Sequence, residues 1–305
     1  MSEFVFFNLQ ESSQLLLGYI ALVEKEFGYI EGEGFHFEDD FYPLLDKENA
    51  RNAFGYYEKS NDEIVATIAC YERKVWIPDS KKYLNVLIMG AMTVREAEQG
   101  KGIFRSLMKR VLKEKKDSDL YLLWSEKEEL FAKFGFERMF EQFIVPRIED
   151  DRRTGKAISQ SWVLEEKFAK DWDKETWSSI RDAFQKRYKN IIILGREMYW
   201  SKIEKMPSVN VGVIKDGRNF MGYFFCGKGK DLPNIVHEWG FADEQYEAEI
   251  LKLINQRYTI WDYPFLCYKN LVHARSSFAA LGMIENKDIL KILPSSLFVG
   301  GVDSL

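Results

Sequence analysis

The chain has 305 residues, 46% of them apolar and 15% aromatic, and a formal net charge of −5. This length and apolar content suffice for two folded domains and argue against extensive disorder. The mildly acidic balance, with no dominant Lys/Arg-rich face, argues against a general nucleic-acid-binding protein. The N-terminal residues MSEFVFFNLQESS lack the features of a signal peptide, and no apolar run is long enough to span a membrane. We therefore expect a cytoplasmic protein.

The three cysteines, Cys70, Cys226 and Cys267, are widely spaced and odd in number. This pattern fits neither a disulfide framework nor a zinc site. It predicts buried thiols in a reducing compartment and no metal ligands.

The first elements come before residue 80. A helix is predicted from residue 12, capped by Ser12 or Ser13. The acidic and aromatic segment 32–46 predicts a loop, which could line a substrate pocket or simply pack its own aromatic side chains. Two strands follow over residues 52–59 and 63–76, and Ser60-Asn61-Asp62 between them indicates a hairpin.

The stretch that carries the most information runs from residue 84 to residue 136. Leu84–Val94 is a mostly apolar run of strand length, and the apolar residues from Ile103 onward have helical spacing. Gln99-Gly100-Lys101-Gly102 lies between these two elements. Two glycines allow positive φ and remove the Cβ atoms that would block a ligand. The pattern predicts a loop whose N–H groups, with the positive end of the helix dipole, bind a phosphate.

The next elements complete a first unit and begin a second. A strand at 120–125, a short acidic helix ending at Gly135 and a strand pair at 136–148 lead to the polar stretch 149–156, the predicted domain boundary. The second half has the same order of elements. It predicts helices at 174–188 and 244–258, and strands within 209–230, 234–241 and 258–268.

The two halves show weak internal similarity. Phe278–Met283 resembles Phe131–Phe136, and Ile235–Phe241 resembles Ile88–Val94, both at one offset (235 − 88 = 147). The hairpin strands match at a slightly larger offset (222 − 66 = 156), which places Ala66 on Gly222 and Cys70 on Cys226. Two copies of one αβ unit are the simplest interpretation.

Together these residues resemble the GNAT superfamily of N-acetyltransferases. The run Val94–Ile103, followed by Phe-x-x-x-Gly-Phe at Phe131–Phe136, is similar to that family's acetyl-CoA motif. The sequence departs from the usual motif at several positions: Glu96 replaces a common proline, Gln99 a common arginine and Phe131 a common tyrosine, and Ala97 and Phe104 are also unusual.

The resemblance implies an α/β (α+β) fold with two GNAT-like domains, 1–150 and 157–305, each a mixed, mainly antiparallel sheet flanked by helices. It implies transfer of an acetyl or other acyl group from coenzyme A to an amine acceptor. The coenzyme-binding residues it implies are the main chain of Met92, Thr93 and Val94 for the pantetheine arm, the N–H groups of Gln99, Gly100, Lys101, Gly102, Ile103 and Phe104 for the pyrophosphate, and Phe131.

The catalytic groups are less well defined. The acceptor amine must lose its proton and the leaving thiolate must gain one. Phe131 cannot donate a proton, so we expect water, Ser125 or Tyr121 to do so, or no acid at all. Glu126, Glu128 and His36 are the candidate bases, and Ser125 and Glu126 are our leading pair.

The second copy lacks the glycine pair and has Asp243, Glu244 and Glu247 in the corresponding loop. Carboxylates there would repel a pyrophosphate, so we expect no coenzyme in this domain. His237-Glu238 does not extend to a His-Glu-x-x-His motif, and a hydrogen-bonded core role is expected. Two alternatives to an enzyme remain open: a non-catalytic acyl-CoA-binding or interaction protein, and a scaffold that assembles only with a partner.

Overall fold

The computed structural model describes residues 3–42, 44–77, 81–140, 143–147, 161–188, 192–193, 196–227, 229–230, 234–262, 274–275, 279–284 and 297–298. They belong to two compact units, the first built from Met1–Glu137 and Leu281–Leu293, the second from Arg138–Ala280 and Pro294–Ser304. The predicted boundary at 149–156 lies outside the described residues. The division into 1–150 and 157–305 therefore stays a prediction.

The described helices are α1 (Leu16–Glu26), α2 (Phe37–Asp40), α3 (Ile103–Glu114), α4 (Glu128–Ala132), α5 (Lys174–Tyr188), α6 (Arg196–Ile203) and α7 (Glu247–Asn255). Several begin with or follow a short 3-10 turn. Such turns cover Ser13–Leu15, Lys47–Asn52, Glu96–Glu98, Ala169–Asp171 and Glu244–Tyr246.

The first sheet contains the strands β1 (Phe4–Asn8), β2 (Ala53–Glu58), β3 (Glu63–Ile77), β4 (Lys82–Val94), β5 (Leu120–Ser125), β6 (Glu137–Phe140) and β15 (Ala279–Met283). Their order in the sheet is β1-β2-β3-β4-β5-β15-β6. Strands β1 to β4 pair antiparallel, and β4 pairs parallel with β5. The buried side chains Tyr19, Val65 and Leu122 lie in the core of this unit.

The second sheet contains the strands β7 (Phe143–Val145), β8 (Trp162–Phe168), β10 (Asn210–Asp216), β11 (Asn219–Cys226), β12 (Ile235–Phe241), β13 (Thr259–Asp262) and β14 (Ala274–Arg275). Their order in the sheet is β14-β7-β13-β12-β11-β10-β8. A parallel pair, β9 (Ile192–Ile193) with β16 (Leu297–Phe298), is separate. Trp239, Phe224, Ile250 and Ile254 form the centre of the second hydrophobic core.

Two mixed, mainly antiparallel sheets flanked by helices confirm the predicted fold class. Pairing registers also confirm the predicted repeat for the central strands. Ala66 faces Val94 and Gly222 faces Phe241, as the two offsets require. At the other end, Cys70 faces Met89 and Cys226 faces Val236, again at both offsets.

Two strands lie in a different sheet from the one that sequence order suggests. We expected the strand pair at 136–148 to close the first unit, but β7 pairs with β13 and β14 of the second sheet. Conversely, β15 lies between β5 and β6 of the first sheet. The predicted match of Phe278–Met283 to Phe131–Phe136 is therefore wrong, because the first segment contains strand β15 and the second contains the end of α4 and a turn.

Local predictions had mixed outcomes. The serine cap is wrong: the N-cap residue of α1 is Leu15, and Ser12, which precedes the 3-10 turn, makes no side-chain capping bond. The predicted loop at 32–46 contains the short helix α2. Strands β1 and β8 and helix α6 were missed.

The cysteine prediction is confirmed for two of the three residues. Cys70 and Cys226 are buried free thiols, and burial raises the pKa of each to about 12. Both therefore stay neutral near pH 7. Cys267 lies outside the described residues.

Within the described ranges, no group of three or more His, Cys, Asp or Glu side chains could hold a metal ion. No helix among the described residues is long and apolar enough to cross a membrane.

The position of β15 predicts that residues 1–150 do not fold stably alone. Without β15, the strand β5 loses a pairing partner and the buried Leu281 side chain is absent. Loss of a buried leucine alone costs about 2–5 kcal/mol. We expect non-cooperative urea unfolding of the 1–150 fragment by circular dichroism, and recovery of a cooperative transition when residues 277–287 are fused to it. Cooperative unfolding of the unfused fragment would contradict this account.

Candidate functional site

Between residues 89 and 94, strand β4 has one residue more than the stretch of β3 that it faces. Ala66 faces Val94 and Cys70 faces Met89, so four steps along β3 match five along β4. The irregularity falls at Ala91, whose φ of 49° is left-handed. An alanine in that conformation costs roughly 1–2 kcal/mol, so its surroundings must hold it. This is a β-bulge in the central strand.

The Thr67 side chain of β3 stabilises the bulge by a hydrogen bond. Its hydroxyl is fully buried and donates a 2.9 Å hydrogen bond to the Ala91 carbonyl. Tyr19 of α1 is also fully buried, and burial raises its pKa well above the ordinary value while the Thr67 hydroxyl offsets part of the rise. The two hydroxyls therefore lie together beneath the bulge.

The pairing of β4 with β5 ends shortly before the bulge. They pair only at Val86–Ile88 with Leu120–Leu122, although all residues of both strands are described. The Arg95 N–H donates to the Val65 carbonyl of β3. Because the main-chain groups of successive residues in a strand point in alternate directions, those of Val94 and Met92 point away from β3. A cleft edge with outward main-chain donors and acceptors results.

Thr93 differs from its neighbours. Thr93 lies two residues before Arg95 and faces Thr67 of β3. Since peptide groups alternate in direction along a strand, those of Thr93 are directed to β3, like the Arg95 N–H that bonds Val65. The expectation that the main chain of Met92, Thr93 and Val94 would all pair with a ligand is therefore corrected for Thr93. An added strand can bond only alternate residues.

The segment from Glu96 to Gly102 forms an open turn in front of α3. Gly100 and Gly102 have φ values of 77° and 81°. A Cβ built on either glycine would meet no atom within 4 Å, so the space beside both is open. Gly102 is the N-cap of α3 and makes no side-chain capping bond, which leaves the first N–H groups of α3, including those of Ile103 and Phe104, without a side-chain cap. This arrangement suits an anion.

Glu26 at the end of α1 fixes the turn. One carboxylate oxygen accepts the Glu96 N–H at 3.1 Å, and the other accepts the Gln99 amide at 3.3 Å. The Gln99 amide also donates to the outward Val94 carbonyl at 3.0 Å. A single carboxylate thus joins α1, the turn and the edge of the cleft.

Charges around the turn are largely paired. Arg95 donates to Glu63 at 2.6 Å and to Glu58 at 3.3 Å. Lys101, whose side chain is 57% exposed, lies 3.1 Å from Glu98. Because Lys101 already has an acidic neighbour, main-chain N–H groups rather than net positive charge must supply most of the attraction for an anion.

Phenylalanines pack beside this turn. Phe104 makes edge-to-face contacts with Phe131 and Phe134, with ring centroids 5.9 Å apart in both pairs. Phe131 is 4% exposed and also contacts Phe136. Phe131, which stands where the GNAT family commonly has a tyrosine, is thus part of an aromatic cluster.

The predicted catalytic residues lie where β5 ends. The Ser125 hydroxyl accepts the Lys127 N–H at 3.0 Å and so shapes the turn into α4, and Glu126 is exposed beside it. Among the alternatives, Tyr121 donates its hydroxyl to the Lys115 carbonyl at the end of α3. Glu128 lies in the first turn of α4, and His36 is exposed next to α2.

The second unit also has an extra residue in its central strand, but side chains of α5 bond that strand. Trp239 corresponds to Met92 at the offset of 147 (239 − 92 = 147), and its carbonyl accepts bonds from Arg187 at 2.9 Å and Tyr188 at 3.2 Å. The Arg187 guanidinium also lies 3.7 Å from the Trp239 ring centroid. Side chains at the end of α5 thus bond the main-chain carbonyl at this position of the second unit.

The loop after β12 differs as well. Asp243 uses its carboxylate to accept the Gln245 N–H, and Lys186 donates to the Ala242 carbonyl. Buried Glu238 accepts the Tyr223 hydroxyl at 2.9 Å, as expected for a hydrogen-bonded core residue.

Sequence reasoning missed two residues of this site. Thr67 had a detectable signal, since it is a lone hydroxyl in the apolar run Ile64–Cys70. Glu26 had none, because a glutamate at the end of a helix is ordinary surface composition.

The chain is similar to known proteins in one domain of its sequence and in its fold. Residues 13–139 match the family model described as Acetyltransferase (GNAT) domain. A GCN5-related N-acetyltransferase from Anabaena variabilis is 15% identical with a TM-score of 0.62, covering 93% of this chain and 74% of its own. N-myristoyltransferase from Saccharomyces cerevisiae, solved with bound myristoyl-CoA, is 12% identical with a TM-score of 0.55, covering 93% and 83%.

Eis1 from Mycobacterium abscessus is 11% identical with a TM-score of 0.55, covering 94% of this chain and 74% of its own. At these identities the similarity shows the fold. A search of curated protein sequences finds no match.

The Thr67–Ala91 bond predicts a specific stability effect. Thr67→Val keeps the side-chain shape but leaves the Ala91 carbonyl without its donor, which we expect to cost about 1–3 kcal/mol in urea unfolding. Thr67→Ser keeps the hydroxyl and should lose only about 0.8 kcal/mol for the missing methyl group. Equal stability of Thr67→Val and wild type would show that the hydroxyl does not hold the bulge.

Proposed function

We propose that the protein transfers an acetyl or other acyl group from coenzyme A to an amine, because residues 13–139 match the GNAT acetyltransferase domain model and the two sheets fit two GNAT-like domains. The observation that carries the proposal is the combination of a bulged β4 diverging from β5 with a glycine turn that opens onto α3.

We propose that the coenzyme binds along this edge. The outward peptide groups of Met92 and Val94 would bond the pantetheine arm. The N–H groups of Gln99 to Phe104 would hold the pyrophosphate, which suits the open space beside Gly100 and Gly102. When bound, the coenzyme supplies an activated thioester.

In the proposed reaction the amine nitrogen attacks the thioester carbonyl carbon. A carbon–nitrogen bond forms, the carbon–sulfur bond breaks, the amine loses a proton and the thiolate gains one. Ser125 and Glu126 are our proposed proton-handling residues, Ser125 as donor to sulfur and Glu126 as base toward the amine. The Ser125 oxygen accepts a bond from Lys127 N–H, which leaves its own hydrogen to donate.

The second domain is proposed to bind no coenzyme. Bonds from Arg187 and Tyr188 to the Trp239 carbonyl support this, because a pantetheine arm would have to displace both donors. The acidic loop that follows also disfavours a pyrophosphate.

A non-catalytic acyl-CoA-binding role is the second candidate. One observation favours it: the buried, aromatic Phe131 stands where the resemblance expects a proton-donating tyrosine.

Coenzyme binding at the glycine turn is tested by Gly100→Glu, with Gly217→Glu as its matched control. Both glycines have positive φ and open space around a Cβ, so both substitutions strain the backbone similarly, but Gly217 lies in the β10–β11 turn. Acetyl-CoA at about 100 times its dissociation constant should stabilise the wild type by roughly 2.7 kcal/mol in thermal unfolding.

The control should keep this stabilisation and Gly100→Glu should lose it. Equal stabilisation of both variants would place the coenzyme away from the glycine turn. Absence of stabilisation in the wild type would contradict coenzyme binding altogether.

Turnover separates an enzyme from a binding protein. We expect thiol release from acetyl-CoA in the presence of a panel of amines, measured with a thiol-reactive dye, and loss of that release in Gly100→Glu. Coenzyme binding without amine-dependent thiol release across primary amines, amino acids and peptides would favour the non-catalytic alternative.

A further inference from the structure

Trp124 lies at the point where β5 leaves β4. The last described pair between the two strands is Ile88 with Leu122, and Trp124 follows two residues later on the same side of the sheet as Leu122. Tyr121 points to the opposite side, where its hydroxyl bonds the end of α3. Trp124 therefore lies on the sheet face away from α3, beside the start of the cleft.

The indole N–H of Trp124 is a buried hydrogen-bond donor without an acceptor among the described residues. The nitrogen is shielded from solvent, although the residue as a whole is only half-buried, and none of the described residues accepts a hydrogen bond from it. By contrast, Trp172 in the second unit donates its indole N–H to the Val211 carbonyl at 3.2 Å. A buried donor without an acceptor is unfavourable, and a ligand oxygen beside it would relieve that cost.

We propose that the Trp124 indole N–H donates a hydrogen bond to a carbonyl oxygen of the ligand bound in the cleft between β4 and β5. This inference rests on the proposed function, since the ligand is an acyl-coenzyme A. The neutral indole donor suits a carbonyl oxygen, which the pantetheine amides and the thioester both provide. Trp124 would then be a ligand-contacting residue that lies outside the glycine turn.

A hydrogen bond from Trp124 to the ligand predicts an effect on affinity that a packing role of this side chain would not. Trp124→Phe removes the donor and leaves an aromatic ring, so thermal stability of the free protein should stay within about 2 °C of the wild type. Trp172→Phe makes the same exchange of rings but also removes the hydrogen bond to the Val211 carbonyl, so its melting temperature should fall further. Affinity for the ligand should weaken about tenfold in Trp124→Phe and stay unchanged in Trp172→Phe.

The test combines calorimetric titration of the two variants with 1H–15N spectra of the indole groups. The signal missing from Trp124→Phe identifies the Trp124 N–H in the wild type, and we expect it to move downfield when ligand binds. Coenzyme A and acetyl-CoA are used as separate probes. Movement with both indicates a pantetheine carbonyl, and movement with acetyl-CoA alone indicates the thioester.

Two outcomes would count against the account, and they are distinguishable. If the wild type binds neither probe, the proposed function fails and the inference fails with it. If the wild type binds but the Trp124 signal does not move, or Trp124→Phe binds with unchanged affinity, the inference alone is overturned.

Discussion

The architecture of the site depends on one extra residue in β4. A β-bulge at Ala91 requires a left-handed alanine, and the buried Thr67 hydroxyl holds its carbonyl. The pairing of β4 with β5 ends at Ile88, just before the bulge, so main-chain groups of β4 in the middle of the sheet have no pairing with β5 from there on. An enclosed sheet ordinarily satisfies such groups internally. A sheet in which these main-chain groups have no neighbouring strand has an edge where another extended molecule can form hydrogen bonds.

Both halves of the chain have an extra residue in the central strand, and they differ in which side chains bond that strand. The pairing registers place an extra residue in β12 as in β4. In the second half, however, Arg187 and Tyr188 satisfy the Trp239 carbonyl, and the guanidinium packs on the Trp239 ring. In the first half, Glu26 instead fixes the turn through Glu96 and Gln99. In the second copy, side chains at the end of one helix thus bond the main chain of the central strand. In the first copy the central strand keeps an open edge.

Much of the fold could be predicted because its signals are local. The apolar run ending at Val94, the helical spacing after Ile103 and the paired glycines all depend on neighbouring residues, and the structure has a strand, a helix and two left-handed glycines there. The positions of β7 and β15 could not be predicted, because short strands carry no information about which distant sheet they join. The bulge was missed for a related reason, since an extra residue is visible only once two strands are paired. Thr67 and Glu26 act through contacts distant in sequence, so their roles also appear only in the folded chain.

The most direct test of the central claim is a crystal structure of the protein with coenzyme A. The account predicts one coenzyme per chain, with its pantetheine arm along the outward peptide groups of Met92 and Val94 and its pyrophosphate over Gly100 and Gly102. The strand β12 should keep its internal bonds to Arg187 and Tyr188. A coenzyme bound along β12, or one that avoids the edge of β4, would contradict the account.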